Sequence, residues 1–364
     1  MKYIFILGHN PKLSIAEILA VLPQATIIEE TASFLIVENK EFDGAEMLRR
    51  LGGTVKLGEI IGTQISKKVT VEHLKEIKAK TKLNFGLSYY DCKPDNLGME
   101  IKKELKDSGV SCRLVTGKDQ ALSSVIVAKN KCEEFLILGK KWLGKTCAVQ
   151  EFEDYSLRDY GRPRRDLKSG MMPPKLAKIM INLAQAPAGA TILDPFCGSG
   201  TVLQEGLLLG HEMIGSDNSD KAISDTKSNL EWLRVNSRLE VINAKIYKTD
   251  VRQIAKTVGK VDAIVTEPYL GPALRGKEKI HEIKRIIEEL SELYETAFSE
   301  FRKVLNYHGR IVIIFPAFRI GSETLELPIL EKIKKLGFTQ VNKEKLIYSR
   351  PGQAVWRQIY VYQA

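Results

Sequence analysis

The chain has 364 residues, 44% hydrophobic and 27% charged, a length for two or three folding units and a composition that excludes a disordered tail, a collagen-like rod and a low-complexity scaffold. The five cysteines (92, 112, 132, 147, 197) form no CxxC pair and the five histidines stand singly, so neither a disulfide framework nor a metal site is expected. The net charge of +10 is spread evenly, with 23 Lys+Arg against 18 Asp+Glu over residues 1–150 and 32 against 27 over 151–364, which suits a polyanionic partner without establishing one.

No apolar run approaches the roughly 20 residues of a bilayer-spanning helix, and the opening MKYIFILG breaks at His9-Asn10-Pro11. No membrane partner and a cytoplasmic location are the expectation. A strand at YIFILG is followed by a helix signal, Ser14 with Glu17 three residues on, the spacing of a capping box ahead of IAEILAVL. SFLIVE (33–38) reads as a strand and FDGAEMLRRL as a helix. This first unit, 1–52, ends at Gly52-Gly53. From 53 to 150 the pattern is again mixed α+β: the run TVKLGEIIGTQI, the basic helix VEHLKEIKAKT, the strand FGLSYYD, the helix MEIKKELKDSG with Gly109 as its C-cap, the strands CRLVT and SSVIVAK, and EEFLILGKKWLGKTCAVQ.

An extended, Arg-rich connector occupies 151–173, and Pro173-Pro174 marks a helix start. From 174 to 364 short apolar strands alternate with helices: TILD, EMIGSD, IYKTD, VDAIVT, a long helix near 281–305, then GRIVIIF. That alternation indicates a parallel sheet covered on both faces. The final NKEKLIY and VWRQIYVY, joined by Arg350-Pro351-Gly352, predict an antiparallel pair at the end.

The most informative run is Ile192-Leu193-Asp194-Pro195-Phe196-Cys197-Gly198-Ser199-Gly200-Thr201. It falls where a strand ends and a helix begins, the place where open α/β sheets bind ligands. A phosphate-binding loop would need Gly-Lys-Ser/Thr, and Leu203 replaces the third glycine of a dinucleotide fingerprint. A nucleoside ligand without a pyrophosphate remains. Asp217, ending the next strand, is placed to hold ribose hydroxyls, and Asp250, ending IYKTD, to meet an adenine edge.

Asp-Pro-Phe-Cys-Gly-Ser-Gly-Thr, then Gly-Ser-Asp, Thr-Asp and Pro268-Tyr269 at the end of the fourth strand, resemble class I S-adenosylmethionine-dependent methyltransferases. The upstream stretch RDYGRPRRDLKSGMMPPKLA is similar to the connector of the THUMP-containing tRNA guanine-N2 methyltransferases that modify guanine 10. The resemblance implies an α/β, Rossmann-like catalytic domain behind an N-terminal α+β region, ferredoxin-like over 1–52 and THUMP-like over 53–150. It implies S-adenosylmethionine as cofactor, held by Asp194, Pro195, Phe196, Gly198, Gly200, Thr201, Asp217, Asn218, Asp250 and Val251. The glycine-rich turn would cradle the methionine part. It further implies tRNA as partner and transfer to the exocyclic N2 of a guanosine, with position 10 as the expected target, a catalytic half expected to be monomeric and the need for a small activator subunit left open.

At the acceptor end, family members carry Asp/Asn-Pro-Pro-aromatic, whereas this chain has Thr266-Glu267-Pro268-Tyr269. Tyr269 would stack on guanine, the Glu267 carbonyl would accept a hydrogen bond, and either the Thr266 hydroxyl or the Glu267 carboxylate would replace the missing acceptor. Methylation of another tRNA or rRNA guanosine, or RNA binding without catalysis, are the alternatives this departure leaves open. Expected RNA contacts are Lys129, Lys140 and Lys141 in the second segment and Arg158, Arg162, Arg164 and Arg165 in the connector. The connector arginines could instead pair with Asp159 and Asp166.

Overall fold

The computed structural model describes residues 1–78, 82–165, 171–237, 239, 241–274, 278–321, 323–350 and 352–364. The chain forms two compact units, Met1–Asp154 and Tyr155–Ala364.

The first unit runs β1 (Lys2–Leu7), α1 (Pro11–Val21), β2 (Thr26–Glu30), β3 (Phe34–Glu38), α2 (Gly44–Arg50), β4 (Thr54–Gly62), α3 (Lys67–Glu76), β5 (Leu83–Tyr90), α4 (Leu97–Asp107), β6 (Cys112–Leu114), α5 (Ser124–Lys129), β7 (Glu133–Leu138) and β8 (Trp142–Val149). Its strands build one eight-stranded sheet in the order β2-β3-β1-β4-β8-β7-β5-β6. β1 is buried on both faces: Tyr3, Phe5 and Leu7 enter one apolar cluster and Ile4 and Ile6 another, as the two-residue side-chain period of a strand requires. β4 pairs antiparallel with both β1 and β8, so the sheet continues across residues 52 and 53.

Two local expectations are corrected here. Ser14 and Glu17 do not cap α1, which starts at Pro11 with Asn10 as N-cap; both side chains are buried inside the helix. The Ser14 hydroxyl donates to the Gly53 carbonyl at 2.8 Å, and the Glu17 carboxylate accepts from the Gly52 and Gly53 amides, each at 2.8 Å. The acid thus satisfies the turn that leads into β4. The stretch SSVIVAK is helix α5, not a strand, because the Ser123 hydroxyl accepts from the Ile126 amide and caps it.

α6 (Phe152–Ser156) runs into the second unit, which opens with a π-helical turn, Leu157–Gly161, where the sequence suggested extended chain. It continues with α7 (Pro174–Leu183), β9 (Thr191–Asp194), α8 (Thr201–Leu208), β10 (Glu212–Asp217), α9 (Asp220–Asn236), β11 (Ala244–Lys248), α10 (Ile254–Thr257), β12 (Val261–Thr266), α11 (Ile280–Val304), β13 (Leu305–Ile320), β14 (Glu323–Leu325), α12 (Leu330–Lys335), β15 (Thr339–Gln340), β16 (Leu346–Tyr348) and β17 (Val355–Gln363).

The second sheet has the order β11-β10-β9-β12-β13-β17-β15, with β14 on β13 and β16 on β17. Strands β11 to β13 are mutually parallel across the sheet, and β17 runs antiparallel to β13 from Arg310↔Gln363 to Phe318↔Val355. β16 and β17 pair antiparallel as expected; Pro351 of their connection lies outside the described residues. One face is sealed by the amphipathic α11, whose Tyr294 and Phe298 meet Phe315 of β13 edge-on, 5.1 and 6.3 Å between ring centres. β9 lies between β10 and β12, so the strand order reverses there and the carboxyl ends of the strands open a crevice. Among the described residues no helix is long and apolar enough to cross a membrane.

Candidate active site

The crevice is a cleft of about 1020 Å³ lined from the ends of β9, β10 and β12, the loop after β11 and the segment leading into β17. The turn after β9 forms its floor. Gly198 (φ +52) and Gly200 (φ +84) both occupy the left-handed region, where a side chain is strained. A Cβ on Gly200 would lie 3.1 Å from the Thr226 methyl, whereas one on Gly198 would face open space apart from the Phe196 carbonyl at 4.0 Å. Gly200 therefore serves close packing and Gly198 exposes backbone to the cleft.

Helix α9 holds this turn from behind: the Thr226 hydroxyl donates to the Gly198 carbonyl at 2.8 Å and the Asn229 amide to the Ser199 carbonyl at 2.8 Å. In front, Asp217 ties two loops together, accepting from the Gly198 amide at 3.1 Å and the Ser219 amide at 2.9 Å. Asp250 caps the short turn Val251–Gln253 and pairs with Arg252 at 2.6 Å, and the Arg252 hydrogen bond holds its carboxyl below the usual carboxylate range. Asp194 is 2% exposed. It accepts from the Phe196 amide at 3.1 Å and the Thr266 hydroxyl at 2.6 Å, yet burial outweighs both bonds and raises its carboxyl to about 7.

Of the expected cofactor residues, Asp194, Pro195, Phe196, Gly198, Thr201, Asp217, Asn218, Asp250 and Val251 line the cleft, and Gly200 sits beneath it as the N-cap of α8. Asp250 lies two residues past β11 and not at its end as expected; open backbone at Gly198, carboxylates at the ends of β9 and β10 and just after β11, and the apolar Phe196 and Val251 between them fit a nucleoside-bearing cofactor with a positively charged end. At the acceptor end Glu267, Pro268 and Tyr269 line the cleft, and the Tyr269 ring is 57% exposed. The Tyr294 hydroxyl shares its one proton between the Ile314 carbonyl at 3.2 Å and the Tyr269 carbonyl at 3.3 Å, which ties that loop to β13.

The Thr266 alternative for the missing acceptor is corrected. Its side chain is fully buried, is absent from the cleft lining and is spent on Asp194. Glu267 keeps its place but not as a lone carboxylate, because Arg357 of β17 binds both its oxygens. Burial raises the Glu267 carboxyl and Arg357 works against that rise. Arg357 itself lines the cleft and escaped the sequence reading, as did Met171, Met172 and Arg252. Glu267 and Arg357 are 90 residues apart, so no local spacing could reveal the pair.

Two of the expected RNA contacts are also corrected. Arg158 and Arg162 are each 3% exposed: Arg158 is bonded to Glu205, and Arg162 donates to the Thr201 hydroxyl at 2.6 Å. Neither faces solvent. Arg164 and Arg165 are exposed, the first 3.9 Å from Asp225 and the second stacked 5.4 Å over Tyr160. Asp166 lies outside the described residues. In the first unit Lys129, Lys140 and Lys141 are exposed; Lys140 sits at the tip of the β7–β8 hairpin with φ +58, and Lys141 pairs with Glu29 at 3.3 Å.

The UPF0020 family, described as RMKL-like, methyltransferase domain, matches residues 162–344. The chain belongs to that family. The match covers the strand ends and the glycine-rich turn that build the cleft, so the second unit is a methyltransferase domain. The chain is 37% identical over 150 residues to the tRNA (guanine(10)-N2)-dimethyltransferase of Methanocaldococcus jannaschii, a stretch that spans 40% of this chain and 41% of that relative. To the enzyme of the same name from Pyrococcus abyssi it is 25% identical over 374 residues, the full length of both. The crystal structure of TrmN from Thermus thermophilus shares the fold, with a TM-score of 0.56 at 16% identity over 100% of this chain and 99% of that one.

Proposed function

We propose that the protein transfers a methyl group from S-adenosylmethionine to the exocyclic N2 of a guanosine in tRNA, with position 10 as the target. The observation that carries this reading is a single cleft in which carboxylates at the ends of β9 and β10 and just after β11, and a glycine-rich turn, adjoin the exposed ring of Tyr269. The two tRNA (guanine(10)-N2)-dimethyltransferases support the choice of substrate and atom. Asp217 and Asp250 would hold the nucleoside of the cofactor, and Asp194 with Gly198 its amino-acid end.

The cofactor supplies an electrophilic methyl on a sulfonium. The residues of the chain have to bring an amine lone pair into line with it and exclude water. Tyr269 offers one face for the guanine ring, and its carbonyl shares the Tyr294 hydroxyl with that of Ile314. The Glu267 carbonyl and its Arg357-held carboxylate offer acceptors for the amine hydrogens. With the cofactor bound, its methyl would pass from sulfur to the amine nitrogen, and the amine proton released would leave past the acceptors that Glu267 offers. The N-terminal unit would hold the tRNA, because a base must leave its helix to reach such a cleft.

Incubation with a tRNA transcript and methyl-labelled cofactor, followed by nucleoside analysis, tests the proposal. Label is expected in N2-methylated guanosine and lost when guanosine 10 is replaced by adenosine; absence of transfer to any guanosine would sink it. In the same assay Tyr269→Ala should lower transfer by about 100-fold while leaving S-adenosylhomocysteine binding unchanged, the size expected for loss of one base–aromatic stack.

A further inference from the structure

Among the described residues, Arg162 is a buried cation without an anion bonded to it. Its Nη1 donates to the Thr201 hydroxyl at 2.6 Å, its Nη2 meets the Met171 thioether sulfur at 3.2 Å, and its Nε has no partner. All of these partners are neutral. Asp159 and Glu205 act on it only through space, and Arg165 opposes them. Glu205 is already committed to Arg158 and Lys178. Burial accordingly pulls the Arg162 guanidinium below its usual range.

A guanidinium withdrawn from water is costly unless an anion bonds to it. Arg162 stands just behind the cleft lining, but the two groups it touches, Thr201 and Met171, both line the cleft, and Thr201 opens α8 directly after the glycine-rich turn. A carboxylate is the planar, two-oxygen anion that a guanidinium matches. We infer that Arg162 binds the α-carboxylate at the amino-acid end of the cofactor. The inference rests on the cofactor named above and adds a ligand that the strand-end motifs do not contain. It also gives the connector a part in the site: the segment ahead of α7 places its charge directly behind Thr201 and Met171 of the cleft wall.

Equilibrium binding of S-adenosylhomocysteine and of its decarboxylated analogue tests this without turnover. The wild-type protein is expected to prefer the carboxylated ligand by about 30-fold, the size of a lost charge-assisted bond. Arg162→Gln should shrink that preference to about threefold or less and leave affinity for the decarboxylated ligand unchanged. A full preference surviving in Arg162→Gln overturns the assignment. Should that variant show no cooperative melting, Arg162→Lys is read instead: a weakened preference supports the assignment and an undiminished one overturns it. Failure of the wild-type protein to bind either ligand would overturn the cofactor reading itself, and this inference with it.

Discussion

Asp194 is the residue at which the cost of building the cleft is most visible. It sits at the end of β9 with two hydrogen bonds, and burial still lifts its carboxyl to about 7. The ordinary value for an unfolded aspartate is about 3.9, so between these two pH values the native state holds a proton that the unfolded chain has released. Stability from this group is full below the lower value, falls as pH rises, and is lost once pH passes the upper one. Urea unfolding between pH 4 and pH 8 should therefore show a decline for the wild-type protein, by at most about 1.4 kcal/mol per pH unit. Asp194→Asn should remove that part of the slope. Equal slopes in the two proteins would mean that Asp194 is ionised throughout. The same residue then carries its charge at neutral pH, where a cationic amino-acid end would meet it.

At the scale of elements, the segment ahead of α7 is bolted to the catalytic unit by a buried charge cluster. Arg158 in the π-helical turn and Lys178 in α7 both reach Glu205 in α8, and the ring of Tyr155 lies 4.7 Å from the Arg158 guanidinium and 5.0 Å from the Lys178 ammonium. Removing Glu205 takes the acid away from two buried cations at once. Glu205→Ala should cost about 3–5 kcal/mol in denaturant unfolding, and adding Arg158→Met to it should restore part of the loss. A cost below about 1 kcal/mol, the level of a surface pair, would show the cluster to be solvated. These ties explain what the sequence could and could not disclose. The parallel strands and the Asp194–Thr201 turn were legible because each depends on neighbours a few residues away. The helix at 124–129 was misread because its β-branched Val-Ile-Val outweighed a one-residue cap. Arg158 and Arg162 looked like solvent-facing RNA contacts because Glu205 and Thr201 are 47 and 39 residues downstream, and no spacing rule links a connector arginine to the start of a distant helix.

For the molecule as a whole, burial of two connector arginines moves the question of RNA binding elsewhere. The +10 charge is divided equally between residues 1–150 and 151–364, but what counts toward phosphate contact is the exposed part, such as Lys129 and Lys140 in the first unit. Each phosphate neutralised by a lysine releases condensed counterions, so tRNA affinity should fall steeply with salt. Replacing Lys129 and Lys140 together by alanine should weaken tRNA binding and reduce the slope of log affinity against log salt by about 1 to 2. If the first unit holds the RNA and the second performs the transfer, this variant keeps the wild-type rate at saturating tRNA and keeps its affinity for S-adenosylhomocysteine. The loss then appears in KM alone. An unchanged salt slope would place the phosphate contacts on other residues, and a fall in the saturated rate would mean that the two lysines also set how the target base is presented.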